Sequence, residues 1–308
     1  MPLTALLLFL PAATFGAALY AASYEASGWR KKKAFLGKLG RQYLNLALAL
    51  GLFSLIAPAV SVGVWLGLNP EALDTKALWP LPAYWETPLL VYALGLLILV
   101  LASLTWKGSR NYRLLRVLWC LLGAVFLAGG VYTALNSLCF AVVGAPPVTA
   151  SPWLEPFMAH FPRLTGAAWV LTGAVGLGAP ATLGLAYLLW RRNTDDFGRD
   201  YYRYAAPRCV PGSLFLLGQA GAVCLGFWAQ GQLSVAILHN SVFLSSAVAG
   251  AVCLLLAIGL PWRLRRSQTP MRHKITMVVA PLFAWLSLVA AFSASLLLWP
   301  ILEEMLNI

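Results

Sequence analysis

The chain has 308 residues, of which 60% are hydrophobic and only 10% charged. A soluble domain has too little interior for that much apolar surface, so the composition excludes the soluble classes and points to an all-α, polytopic membrane protein. The net charge of +12 then reads as topology signals and contacts for anionic lipid headgroups, not as a nucleic-acid surface.

Apolar runs long enough to cross a bilayer recur at about 3–24, 44–68, 87–106, 114–143, 164–190, 213–233, 240–262 and 275–300, eight in all. The expected domain is a single membrane domain over 1–308, with a first four-helix bundle in 1–143 and a second set of four helices in 164–300. The first run ends in Arg30, Lys31, Lys32, Lys33, Lys38 and Arg41, with only Glu25 nearby. Because these cations follow the run instead of preceding it, the segment is not expected to be a cleaved signal peptide. Further basic loops carry Arg110 and Arg113, then Arg191, Arg192, Arg199, Arg203 and Arg208, and finally Arg263, Arg265, Arg266, Arg272 and Lys274. The loops between them carry few cations. Basic loops stay cytoplasmic, so this alternation predicts both termini outside.

Two outer loops, 69–86 and 144–163, are rich in Pro and Trp, as expected of segments anchored at the interface. Pro58, Pro180 and Pro281 fall inside spans and are expected to kink them. Gly166, Gly173, Gly176, Gly178 and Gly184 make the fifth span thin, suited to close approach of a neighbouring helix or a flat ligand. The five cysteines are scattered without a C-x-x-C, which gives no sign of covalent haem, zinc or an iron–sulfur cluster.

Chemistry in a membrane shows itself as ionisable or ligand residues in the spans, and here the spans are nearly bare. Glu86 opens the third span on the outer side and Glu25 closes the first on the inner side. His160 and His239 form the same-side histidine pair, with Met158 as a weaker third ligand, while His273 lies inside. These are the residues a b-type haem would need as axial ligands, although two ordinary interfacial histidines are the commoner explanation. The remaining interior polars, Asn45, Asn136, Gln219 and Gln230, are neutral, which speaks against ion-coupled transport. The motifs of soluble hydrolases and nucleotide-binding enzymes are absent.

Thr14-Phe15-Gly16, Glu25, Ser27-Gly28 and Gly37-Lys38-Leu39 follow one another through the first hairpin. Glu86 in Trp85-Glu86-Thr87, Trp119, Asn136, Thr172-Gly173 and Tyr187-Leu188-Leu189 mark later spans. In this order they resemble subunit I of the cytochrome bd quinol oxidases over about the first six spans. The resemblance also breaks. The family's haem histidines fall on Leu7 and near Leu164, and a second carboxylate falls on Leu94. The loop that shapes its quinol site shrinks to about 231–239, and its later Arg and Met ligands have no counterpart. The resemblance therefore implies the scaffold without the iron: no haem b bound by this chain and no oxygen reduction by it alone. It implies an integral subunit of a respiratory electron-transfer complex in a bacterial cytoplasmic membrane. Partners would be other membrane subunits and cytochrome or iron–sulfur subunits. Quinol would be the small molecule, with Glu86 as proton acceptor and His160, His239 and Arg163 as its binding residues. Two alternatives stay open: a haem-free structural anchor, and a small-molecule transporter.

Overall fold

The structure, a computed structural model, describes residues 2–68, 81–106, 112–143, 162–194, 197–230 and 241–296. Every regular element among the described residues is helical. In chain order they are α1 (Pro2–Arg30), α2 (Ala34–Leu68), α3 (Leu81–Leu104), α4 (Arg113–Val143), α5 (Pro162–Arg191), α6 (Arg199–Cys209), α7 (Gly218–Gln230), α8 (Ser241–Arg266) and α9 (Lys274–Leu296). A 3₁₀ segment, Val210–Leu217, joins α6 to α7, and a short 3₁₀ turn, Pro270–Arg272, precedes α9.

Seven stretches of the described residues are long and apolar enough to cross a membrane. They correspond to the second through eighth expected spans. Helix α1 covers the first expected run and is rich in small residues from Ala12 to Tyr24. That composition suits its surroundings: Ala5, Ala12, Ala13, Thr14, Ala17, Ala18 and Ala21 are fully buried. Small side chains let neighbouring backbones approach closely.

Two expected loops are shorter than the sequence pattern suggested. Helix α2 begins at Ala34, so the basic stretch with Lys38 and Arg41 is already helical. Only residues 31–33 turn the chain, in a Schellman arrangement. Lys33 N–H donates to Gly28 O at 3.1 Å, Lys32 N–H donates to Trp29 O at 3.3 Å, and Lys32 takes the left-handed φ of 52°. The second case is the arginine-rich stretch after the fifth span, where Arg199–Cys209 is the helix α6. It buries Tyr201, Tyr202, Ala205, Ala206 and Cys209 and exposes Arg199, Arg203 and Arg208. Pro207 and Pro211 lack the amide proton an α-helix needs, and the chain tightens into the 3₁₀ segment there.

The chain forms two compact units, one of Leu10–Pro162 and one of Met1–Phe9 with Arg163–Ile308. In the first unit α3 packs along α4 through glycines. A Cβ at Gly130 would lie 2.9 Å from Tyr92 N, one at Gly95 would lie 2.9 Å from Leu127 N, and one at Gly123 would press on Leu99. The α1–α2 hairpin closes the same way, with Gly28 against Gly37 N and Gly40 against Ala21 O. In the second unit Gly178 of α5 fits against Leu216, Gly218 against Ala174, and Gly250 of α8 against Ala290 of α9. The thin face of α5 thus serves helix packing at Gly178, while a Cβ at Gly166 or Gly173 would meet nothing within 4 Å. Pro180 and Pro281 lie inside α5 and α9 as expected.

Candidate functional site

Of the expected outer-side residues, Glu86 lies in the first turns of α3 with its side chain exposed. Arg163 lies at the start of α5. His160, His239 and Met158 fall outside the described residues, so the expected quinol cluster stands as a sequence reading. Leu94, where the oxidase family carries a second carboxylate, is a half-exposed apolar position of α3.

The polar centre of the first unit is on the opposite, basic-loop end. Arg116 Nη2 lies 2.6 Å from Glu25 Oε1, and the two side chains are only 8% and 5% exposed. Removing two charges from water is costly, and a close contact of this kind is what offsets it. The sequence pattern had left the spans almost without charge; Arg116 inside α4 corrects that. Its guanidinium also lies over the Trp106 ring, 4.7 Å from the centroid, a favourable position for a desolvated cation. Arg116 Nε has no hydrogen-bond partner among the described residues.

Glycine makes the space for Glu25. A Cβ at Gly37 would lie 3.2 Å from its Oε2, and one at Gly40 would lie 3.1 Å from its backbone nitrogen. Beside it, Tyr20, Tyr24 and Tyr43 cluster with ring centroids 5.3 to 5.9 Å apart, and Tyr43 is almost wholly buried. Deeper along the hairpin Thr14 Oγ1 approaches Ser54 Oγ at 3.5 Å, each hydroxyl donating to the carbonyl four residues back. Thr14, Glu25, Gly28 and Gly37, four positions that carry the oxidase resemblance, therefore belong to one packed hairpin. Sequence reading singled out Glu25 but not its partner. The available signal was a cation placed three residues inside an apolar span, since charges there pair with one another.

In the second unit Gln219, a neutral polar of the sixth span, is buried and accepts a hydrogen bond from Ser287 Oγ at 2.9 Å. A separate cavity of about 260 Å³ opens among the arginine-rich segments of the same unit, lined by Arg192, Arg199, Arg203 and Arg272 together with Tyr202 and Thr269. No cluster of three or more His, Cys, Asp or Glu able to hold a metal occurs among the described residues.

Comparison with protein-family models, with curated proteins and with solved structures gives no match, so the likeness to the oxidase subunit rests on the motif residues themselves.

Proposed function

We propose that this chain is an integral membrane subunit of a respiratory electron-transfer complex, a haem-free relative of the cytochrome bd subunit I scaffold. It crosses the membrane eight times with both termini outside, docks redox-active partner subunits, and offers quinol an outer-side site at Glu86, His160, His239 and Arg163. The observation that carries this reading is the α1–α2 hairpin. The motif residues Glu25, Gly28 and Gly37 pack against one another, and Glu25 pairs with Arg116 of α4. A buried ion pair costs stability when replaced on one side only, and its attested use is to fix register. Such a lock suits a scaffold that must present a constant surface to partners. The large apolar side chains left exposed on α3, α4 and α8, Leu90, Leu97, Val125 and Leu255 among them, supply surface for lipid or for other membrane subunits.

Quinol oxidation requires a group to take the ring proton beside an apolar slot for the tail. Glu86 at the outer end of α3 is the carboxylate available there, and a histidine would hydrogen-bond the ring oxygen. The test is affinity purification of the tagged full chain from its native membrane in mild detergent. Stoichiometric cytochrome or iron–sulfur partners are expected, with quinol-dependent reduction that falls at least tenfold in Glu86→Gln. Recovery of the chain alone would sink the subunit reading. Partners with unchanged turnover in Glu86→Gln would leave the scaffold and remove the quinol site.

A further inference from the structure

The arginine-lined cavity of the second unit has no part in the function proposed above. It is assembled from three separate stretches: Arg192 just past the end of α5, Arg199 and Arg203 one turn apart on α6, and Thr269 and Arg272 in the turn before α9. Its floor is firm. Tyr202, Pro270 and Met271 are buried, and α6 packs on the 3₁₀ turn.

Four guanidinium groups line this space, and no carboxylate lines it among the described residues. The segments involved contain one described carboxylate, Asp200, which is exposed and is not part of the lining. None of the four arginines forms an ion pair among the described residues. Like charges gathered around one cavity repel, and an anion bound among them relieves that repulsion. Topology alone explains why the loops are basic, but a charge bias needs no common cavity. The planar fork of arginine matches phosphate geometry in particular. Thr269 on the wall adds a hydroxyl, a side-chain type that can donate to a phosphate oxygen. The volume of about 260 Å³ is just below the range for drug-sized ligands, roughly 300–1,000 Å³. It suits a headgroup or a small phosphate.

We propose that this cavity is a binding site for a phosphate group, presented either by an anionic phospholipid headgroup or by a small soluble phosphate. The site lies on the end of the unit that loop charge assigns to the cytoplasm, where anionic lipid and soluble phosphates are both present.

The experiment uses the full chain in two arms. In one, nanodiscs of phosphatidylcholine alone are titrated with inorganic phosphate and binding is followed calorimetrically. In the other, nanodiscs of mixed phosphatidylcholine and phosphatidylglycerol are disassembled and the retained lipid is read by native mass spectrometry. The wild-type chain is expected to bind phosphate in the first arm or to retain phosphatidylglycerol selectively in the second, and the arm that responds identifies the source. Arg203→Gln/Arg272→Gln should weaken that binding at least tenfold. Arg203→Lys/Arg272→Lys, which keeps the charge and loses the fork, should fall between. Both arginines are exposed, so their replacement leaves the packing intact. Arg263→Gln/Arg265→Gln is the control, removing two cations from the end of α8 that do not line the cavity. Failure of both arms, or equal loss in the control and the cavity variants, would overturn the site in favour of general surface charge.

Discussion

Arg116 reaches Glu25 across ninety-one positions of sequence to make a 2.6 Å contact from which water is almost wholly shut out. The pair joins α4 to α1, and through Trp106 it also holds the end of α3. Breaking one side leaves a buried charge unanswered, at a cost of about 3–5 kcal/mol. Arg116→Met should therefore lose most of its folded population in a detergent unfolding titration, and Glu25→Gln/Arg116→Met should recover a large part of it. A double variant as unstable as the sum of its single changes would show that the two residues act independently.

Lys32 holds a left-handed conformation, with φ of 52°, at the position where helix ends favour glycine. A side chain there costs about 1–2 kcal/mol, part of which glycine returns as unfolded-chain entropy. Lys32→Gly is expected to stabilise the chain by about 0.5–1 kcal/mol, seen as a higher melting midpoint in detergent. A lower midpoint would mean that the lysine side chain supplies more than its conformation costs.

The α3–α4 seam has no room for a methyl group at Gly130, where a Cβ would lie 2.9 Å from Tyr92 N. Gly130→Ala should destabilise by about 1–3 kcal/mol through overpacking. Gly173→Ala, which meets nothing within 4 Å, should be neutral or slightly stabilising, because alanine is the better helix former. Equal effects at both positions, measured by the same unfolding assay, would count against the close seam.

Loop charge predicts that both ends of the chain lie outside. A reporter fused after Ile308 that is active only outside the cytoplasm should be active. Activity of a cytoplasm-only reporter at the same position would reverse the orientation or change the number of crossings by one.

The resemblance to the oxidase would put its haem histidines on Leu7 and near Leu164, where the chain has leucine, so the purified chain freed of partners should lack a Soret band. A haem spectrum abolished by His160→Ala or His239→Ala would show a rebuilt axial site instead.

The helices could be read from sequence because hydropathy is a local property. A run of apolar residues must be helical in a bilayer, whatever lies beside it, since no water is present to satisfy its backbone. That reasoning located the seven long apolar stretches and marked Glu25 as an unusual charge. It failed at Arg199–Cys209, taken for a loop because arginine dominates it. There the alternation of Tyr201, Tyr202 and Ala205 with Arg199 and Arg203 is that of a helix with one buried face. What sequence order leaves open is which distant residues meet. Arg116 inside α4 could have answered several groups, and only packing set it against Glu25. Arg192 and Arg272 lie far apart along the chain, and only the seating of α6 on the turn before α9 brings them to one cavity. A charge pattern chooses the side of the membrane on which a loop falls; the close packing of the helices chooses its neighbours, because each contact depends on the shapes of two surfaces at once.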